Sequence, residues 1–145
     1  MKKSGILNSS IAKAIADLGH MDLIAIGDCG LPIDSSKKID LALKLGSPSF
    51  IEVLDELLKD FSVEGYTLAC EIKEKNPKVL SEVEDLLEGV ESNFISHENF
   101  KKKLEDCKFV IRTGENTPYA NIILRSKNIF WGSLWICLLY TSPSP

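Results

Sequence analysis

Cysteine and histidine are scarce in this 145-residue chain, at four and two. Cys29, Cys70, Cys107 and Cys137 are scattered without a C-x-x-C pair. That spacing excludes a zinc ribbon and a disulfide framework and points to a reducing, cytoplasmic setting. There is no G-x-G-x-x-G, no Walker A loop and no H-E-x-x-H, so neither a nucleotide cofactor nor a metal is expected. Charge of one sign is never concentrated. The net charge is −4, and the only basic run, Lys101-Lys102-Lys103, reads as the solvated face of a helix. No nucleic-acid partner is expected. Long hydrophobic runs are missing too. Residues 129 to 140, IFWGSLWICLLY, form twelve mostly apolar residues, well short of the roughly 20 of a membrane span. The opening MKKSGILNSS carries no apolar stretch of signal-peptide length. No membrane partner is expected.

What is present is ordinary for a soluble globular domain: 44% apolar and 26% charged residues. The length suits one domain with a real core, taken as residues 1–130. Asn8, Ser9 and Ser10 offer N-caps to a helix carrying Ile11, Ile15 and Leu18, with Gly19 as its stop. Leu23 to Ile26 reads as a buried strand, and Asp28 to Pro32 as its turn-rich exit. Ile39 to Leu43 is a second strand or an extended arm. Pro48 suits the first turn of a helix, Ser49 and Glu52 form a possible capping box, and Phe50, Val53, Leu54, Leu57, Leu58 and Phe61 make the buried stripe. Tyr66 to Cys70 reads as a strand, Asn76-Pro77 opens a helix ending at Gly89, and Asn93 to Ile95 is a short strand. Ser96 caps a helix bearing Phe100 and Leu104. Phe109 to Ile111 and Tyr119 to Leu124 complete the strands. This alternation predicts a layered α/β domain, with helices packed on a mostly parallel or mixed central sheet.

Four places offer chemistry. His20 follows a helix C-terminus, where partial negative charge favours imidazolium; His97 sits in the first turn of another helix, where partial positive charge favours the neutral ring. Opposed biases suit an acid and base pair, although on position alone each reads first as a surface histidine at a helix end. Asp28 ends a strand. It is equally readable as a cleft residue and as an Asx-turn former. The segment from Thr113 to Asn121 is polar and turn-forming, and Glu115, Thr117, Tyr119 and Asn121 offer the donors and acceptors that a polyhydroxylated ligand needs. An ordinary strand connection is the plainer reading. Arg112 and Arg125 flank the segment, where surface pairing is the first expectation.

Taken together, KKSGILN at 2–8, LGHMD at 18–22, GDCGLPI at 27–33, KKIDLAL at 37–43, PSFIEVL at 48–54, EIKEKNP at 71–77, ISHENFK at 95–101 and IRTGENTPYANIILRS at 111–126 resemble the D-ribose pyranase family, which is grouped with the fucose mutarotases. The resemblance implies a cytoplasmic, cofactor-free isomerase that interconverts the pyranose and furanose forms of D-ribose. It assigns the acid to His20, and sugar binding to Asp28, His97 and the Tyr119-Ala120-Asn121 segment. It further implies a homo-oligomer, commonly a decamer of two stacked pentamers, with active sites between neighbouring subunits. The alternatives are a mutarotase for another monosaccharide such as fucose and a non-catalytic sugar-binding accessory; an acid at His20 argues against the latter.

The chain's end departs from the family. Ser126-Lys127-Asn128-Ile129-Phe130 only partly follows the Ser-Gly-Val-Ile-Phe type of ending, and Trp131 onward has no counterpart. The last nine residues, CLLYTSPSP at 137–145, resemble the translated adapter of a sequencing-library kit; a disordered Ser/Pro tail is the alternative, and the match over nine consecutive residues favours the adapter. One further expectation concerns distance. If residues 20 to 28 are extended, His20 and Asp28 stand roughly 26 Å apart at about 3.3 Å per residue. Then either the chain bends near Gly19 or Gly27 to shorten the span, or His20 and Asp28 of one site come from different subunits. The second is the favoured reading, because the family's sites lie between subunits.

Overall fold

Local chemistry sets where the helices begin. The computed structural model describes residues 1–130. The Asn8 side chain accepts from the Ile11 N–H and starts α1 (Ser9–Ala16). Ser49 accepts from the Glu52 N–H and starts α2 (Phe50–Leu58). Ser96 accepts from the Asn99 N–H and starts α5 (His97–Lys103). Each cap satisfies one of the amide donors that a helix start leaves without an intrahelical acceptor. The remaining helices are α3 (Ile72–Lys75) and α4 (Pro77–Leu86), the latter with Pro77 at its first position. The strands are β1 (Leu23–Gly27), β2 (Lys38–Asp40), β3 (Val63–Ala69), β4 (Glu91–Ile95), β5 (Cys107–Arg112) and β6 (Ile122–Ser126).

The strands form one sheet in the order β2-β5-β1-β6-β3-β4. Every pairing is parallel except those of β6, which runs against β1 and β3. The mixed, layered α/β architecture expected from the alternation is therefore present. Alternate residues go to opposite faces. Ile24 and Ile26 of β1 and Ile122 and Leu124 of β6 join α2 residues Phe50, Val53, Leu54 and Leu57 in the larger core. Ala25 and Ile123 face the other way and pack with Phe100 and Leu104 beside α5. A bulge in the β1–β5 pairing sets Leu23 against Cys107 but Ala25 against Val110. The extra residue turns Cys107 to the smaller core while Phe109 enters the larger one. Among the described residues no helix is long and apolar enough to cross a membrane. The 137–145 tail lies outside the described residues.

Several boundaries differ from expectation. The first helix ends at Ala16, not Gly19, because the Asp22 carboxylate takes the Gly19 N–H at 2.8 Å and closes a turn over 19–22. The left-handed residue of that turn is Met21, with φ of 71°. Pro48 precedes α2 instead of entering it, since Ser49 holds the cap position. The second strand stops at Asp40, whose carboxylate turns back to the Ala42 N–H. The last strand starts at Ile122 and runs to Ser126. Tyr119 adopts φ of 56° and accepts from the Asn121 N–H, a bend incompatible with a strand there. The short α3 was not anticipated.

Gly114 joins the 41–48 arm to the end of β5. Its N–H donates to Pro48 O at 2.9 Å, and its carbonyl accepts from the Gly46 N–H. A Cβ at this position would collide with the backbone oxygens of Ser47 and Lys44. Gly114→Ala should therefore destabilise the protein by about 1–3 kcal/mol, the usual range for overpacking. Thermal unfolding should show a lowered Tm; an unchanged Tm would mean the arm gives way freely.

Candidate active site

Because β6 alone is reversed, its start lies at the same edge of the sheet as the ends of β1, β4 and β5. That edge gathers Asp28 after β1, His97 after β4, and Tyr119, Ala120 and Asn121 ahead of β6. Polar groups at the carboxyl ends of parallel strands are where α/β sheets place ligands. A depression of about 260 Å³ lies there, lined by Asp28, Leu31, Pro32, His97, Tyr119 and Asn121 among others. A larger one of about 390 Å³ shares Pro32 with it. Size does not decide between them. In the larger one, Lys37 donates to Glu105 O and Lys101 pairs with Glu98, so its cations are engaged. The smaller one is lined by His97 and Asn121, each of which carries a buried side-chain nitrogen without a partner among the described residues.

Asp28 turns out to satisfy both readings. Its Oδ1 accepts from the Gly30 N–H at 3.0 Å, an Asx turn, and the residue lines the pocket. Its own N–H donates to Asn121 Oδ1 at 2.8 Å. That bond fixes the Asn121 amide, which is fully buried. With the oxygen engaged, Asn121 Nδ2 is left as a buried donor without a partner. The Nδ1 atom of His97 is in the same condition. The His97 ring stands edge-on to Tyr119, with centroids 5.1 Å apart, and stacks with Phe100 at 6.4 Å. A buried polar atom left unpaired is costly, so these two invite a ligand that pairs them. Burial pushes the Asp28 carboxyl above the usual carboxylate range, against the opposing pull of the bond it accepts from the Gly30 N–H.

The loop that carries Tyr119 is held from several sides. The Thr113 hydroxyl donates to Gly27 O at 2.8 Å and accepts from the Glu115 N–H. One Glu115 oxygen accepts from the Phe50 N–H at the start of α2; the other accepts from the Thr117 hydroxyl at 2.7 Å. Buried Asn76, at the start of α4, donates to Thr117 Oγ1 and to Pro118 O. Glu115 and Thr117, expected as ligand partners, are thus committed to the loop itself. Asn76 was not singled out from the sequence; its place before Pro77 signals a cap but not this role. Glu71 was also missed. Its carboxylate accepts the His97 N–H with both oxygens at 3.1 Å and ties the end of β3 to α5. Burial disfavours the Glu71 carboxylate, but its hydrogen bonds, from the Cys70 thiol and the His97 N–H among others, outweigh this and hold its pKa down.

His20 is not in this group. It lies in the 19–22 turn, before β1, at the amino edge of the sheet. Its Nδ1 is 4.0 Å from a carboxylate oxygen of Glu64 on β3, and Arg125 Nε donates to the other oxygen at 2.9 Å. Arg125 and Arg112, which binds Asp40 at 3.1 Å, are both paired at the surface as expected. His20 lies three residues past the C-cap of α1, so the helix end acts on it less than supposed. Only the five residues of β1 are extended, which makes the span from His20 to Asp28 shorter than roughly 26 Å. The two residues nonetheless occupy opposite edges of the sheet. Among the described residues, no three His, Cys, Asp or Glu side chains are grouped so as to hold a metal ion.

Comparison with known proteins gives consistent relatives. The RbsD / FucU transport protein family matches residues 1–128. A D-ribose pyranase of Lactobacillus acidophilus is 51% identical over 131 residues, covering 90% of this chain and all of the relative. Another from Streptococcus uberis is 56% identical over 128 residues, covering 87% of this chain and 97% of the relative. The structure of Bacillus subtilis RbsD complexed with D-ribose superposes with a TM-score of 0.86 at 48% identity, over 90% of this chain and all of the other. A Streptococcus pneumoniae fucose mutarotase with L-fucose shares the fold at a TM-score of 0.74 and 22% identity, over 86% of this chain and 95% of the other.

The raised pKa of Asp28 has a consequence for stability. The folded state holds the Asp28 proton more tightly than the unfolded chain does. This group therefore favours folding below the ordinary carboxylate pKa. The advantage is lost as pH rises from that value through the raised folded one. Asp28→Asn removes the titration while keeping an acceptor for Gly30. The Tm of the variant relative to wild type should be higher at about pH 7 than at about pH 3. A difference independent of pH would contradict the burial argument.

Proposed function

Because the chain belongs to the RbsD / FucU transport protein family, we propose that it is a D-ribose pyranase, a cofactor-free isomerase that interconverts β-D-ribopyranose and β-D-ribofuranose. The observation that carries this reading is the pocket at the carboxyl edge, where Asp28, His97 and Asn121 converge in a chain so similar to a ribose-bound relative. A sugar hydroxyl both donates and accepts, so a cluster of hydroxyls suits unpaired Asn121 Nδ2 and His97 Nδ1 together with the Asp28 carboxyl. Tyr119 offers a ring and a hydroxyl, and Ala120, buried between two binding residues, lines the segment through its backbone.

The reaction needs only proton movement. A proton leaves the anomeric hydroxyl while the ring oxygen gains one, and the C1–O5 bond of the pyranose breaks to give the open aldehyde. The C4 hydroxyl then adds to C1, loses its proton, and the carbonyl oxygen is protonated to give the furanose. Protons taken and given balance over the cycle. Histidine suits both directions near neutral pH, and His20 takes the role of acid. Since His20 and Asp28 belong to opposite edges of one sheet, a working site combines His20 of one subunit with Asp28, His97 and residues 119–121 of another. A ring-shaped homodecamer in the cytoplasm is the assembly this reading adopts. The functional domain is residues 1–130, and residues 137–145 are no part of it.

His20→Ala should lose most of the ring-form exchange, on the order of the 10²–10⁴-fold that a general acid–base group supplies. The fold should survive, because the side chain is 44% exposed. Saturation-transfer NMR between ribopyranose and ribofuranose signals measures the exchange. Wild-type rates in the variant would move the acid role elsewhere and sink the assignment.

A further inference from the structure

At the amino edge of the sheet, His20 faces a built arrangement rather than open solvent alone. Glu64, the second residue of β3, sends one carboxylate oxygen to within 4.0 Å of His20 Nδ1. Its other oxygen is held at 2.9 Å by Arg125 Nε. Arg125 lies on the adjacent strand β6, in register with Gly65. Its guanidinium passes directly over that glycine: a Cβ on Gly65 would stand 2.6 Å from Nη2 and 3.0 Å from Cζ. The far end of the same guanidinium is 4.0 Å from Glu91 on β4. Gly65 thus leaves the lane in which Arg125 lies, Arg125 anchors Glu64, and Glu64 addresses one particular nitrogen of His20. Glu64 and Arg125 are only 26% and 33% exposed, so their pairing is less screened than that of a fully solvated pair.

We infer that Glu64, held by Arg125 across Gly65, is the positioning residue of His20. The inference rests on the reading of His20 as the proton-transfer group. A carboxylate beside Nδ1 selects the tautomer with the proton on Nδ1 and leaves the Nε2 lone pair for the sugar. When Nε2 takes a proton, the same carboxylate stabilises the imidazolium, and when Nε2 returns it, the ring is already oriented. This is the division of labour of an acid–histidine pair in acyl transfer, applied here to a ring oxygen. The 4.0 Å separation is long for a hydrogen bond; acid–base contacts commonly tighten only when substrate is bound.

The test uses the assembled full chain and compares Glu64→Ala, Glu64→Asp and Gly65→Ala with His20→Ala. Exchange rates are measured as a function of ribose concentration, and the His20 tautomer is read from ring ¹⁵N shifts. Glu64→Ala should lower kcat about tenfold or more with KM nearly unchanged, the pattern of a lost transition-state interaction, and should abolish the preference for the Nδ1–H tautomer. Glu64→Asp should restore part of both. Gly65→Ala retains all three polar side chains but displaces the guanidinium, so it should reproduce a milder kcat loss. It also serves if Glu64→Ala fails to fold. Wild-type kcat and tautomer in folded Glu64→Ala, or wild-type kcat in Gly65→Ala with Arg125 displaced, overturn the inference. If His20→Ala is inactive in that case, only the role of Glu64 falls; if His20→Ala is fully active, the reading of His20 falls with it.

Discussion

The reversal of one strand in the middle of the sheet is the constraint on which the site depends. β6 lies between β1 and β3 and runs against both. A parallel strand there would have put the segment before it at the amino edge. Reversed, it delivers Tyr119, Ala120 and Asn121 to the carboxyl edge beside Asp28 and His97, and carries Arg125 to the amino edge beside Glu64 and His20. Both clusters are therefore consequences of one pairing. The bond from the Asp28 N–H to Asn121 Oδ1 ties β1's exit to β6's entrance and fixes the face that Asn121 shows to the pocket.

At the pocket edge, polar groups without protein partners among the described residues lie close together. A carboxyl is partly desolvated at Asp28, a donor is stranded at Asn121, and a ring nitrogen is stranded at His97. Around them almost every other polar group is satisfied. Thr113, Glu115, Thr117 and Asn76 exchange bonds that hold the loop against β1, α2 and α4. This contrast separates the groups that hold the loop from those left available to a ligand. Glu115 and Thr117 are chemically as suited to a sugar as Asn121, but their atoms are already engaged.

Much of this was legible in the residues. The caps at Asn8, Ser49 and Ser96 are local events, since each side chain meets an amide three residues on, and the order of residues is enough to place them. The short apolar run from Leu23 to Ile26 also announced its strand. What was not legible depends on partners distant in sequence. The helix stop at Ala16 is set by the closure of the 19–22 turn, the direction of β6 by its two neighbours, and the role of Glu115 by an amide 65 residues away. His20 and His97 both looked like helix-end histidines. Only the sheet shows that they belong to opposite edges. Glu64 carried no sequence signal, because a glutamate near the start of a strand is common and its meaning comes from the arginine that pairs across from the next residue.

The central claim is that a working site draws His20 and Asp28 from different subunits. Mixing His20→Ala subunits with Asp28→Ala subunits, under conditions where native mass spectrometry confirms mixed assemblies, tests it directly. Each variant alone should be inactive. In an equal mixture, about a quarter of the interfaces would join an intact His20 to an intact Asp28, because each face is drawn independently. Ribose ring exchange should recover to about that fraction of wild type. Confirmed mixed assemblies with no more activity than the separate variants would contradict the account, since both residues would then have to come from one chain.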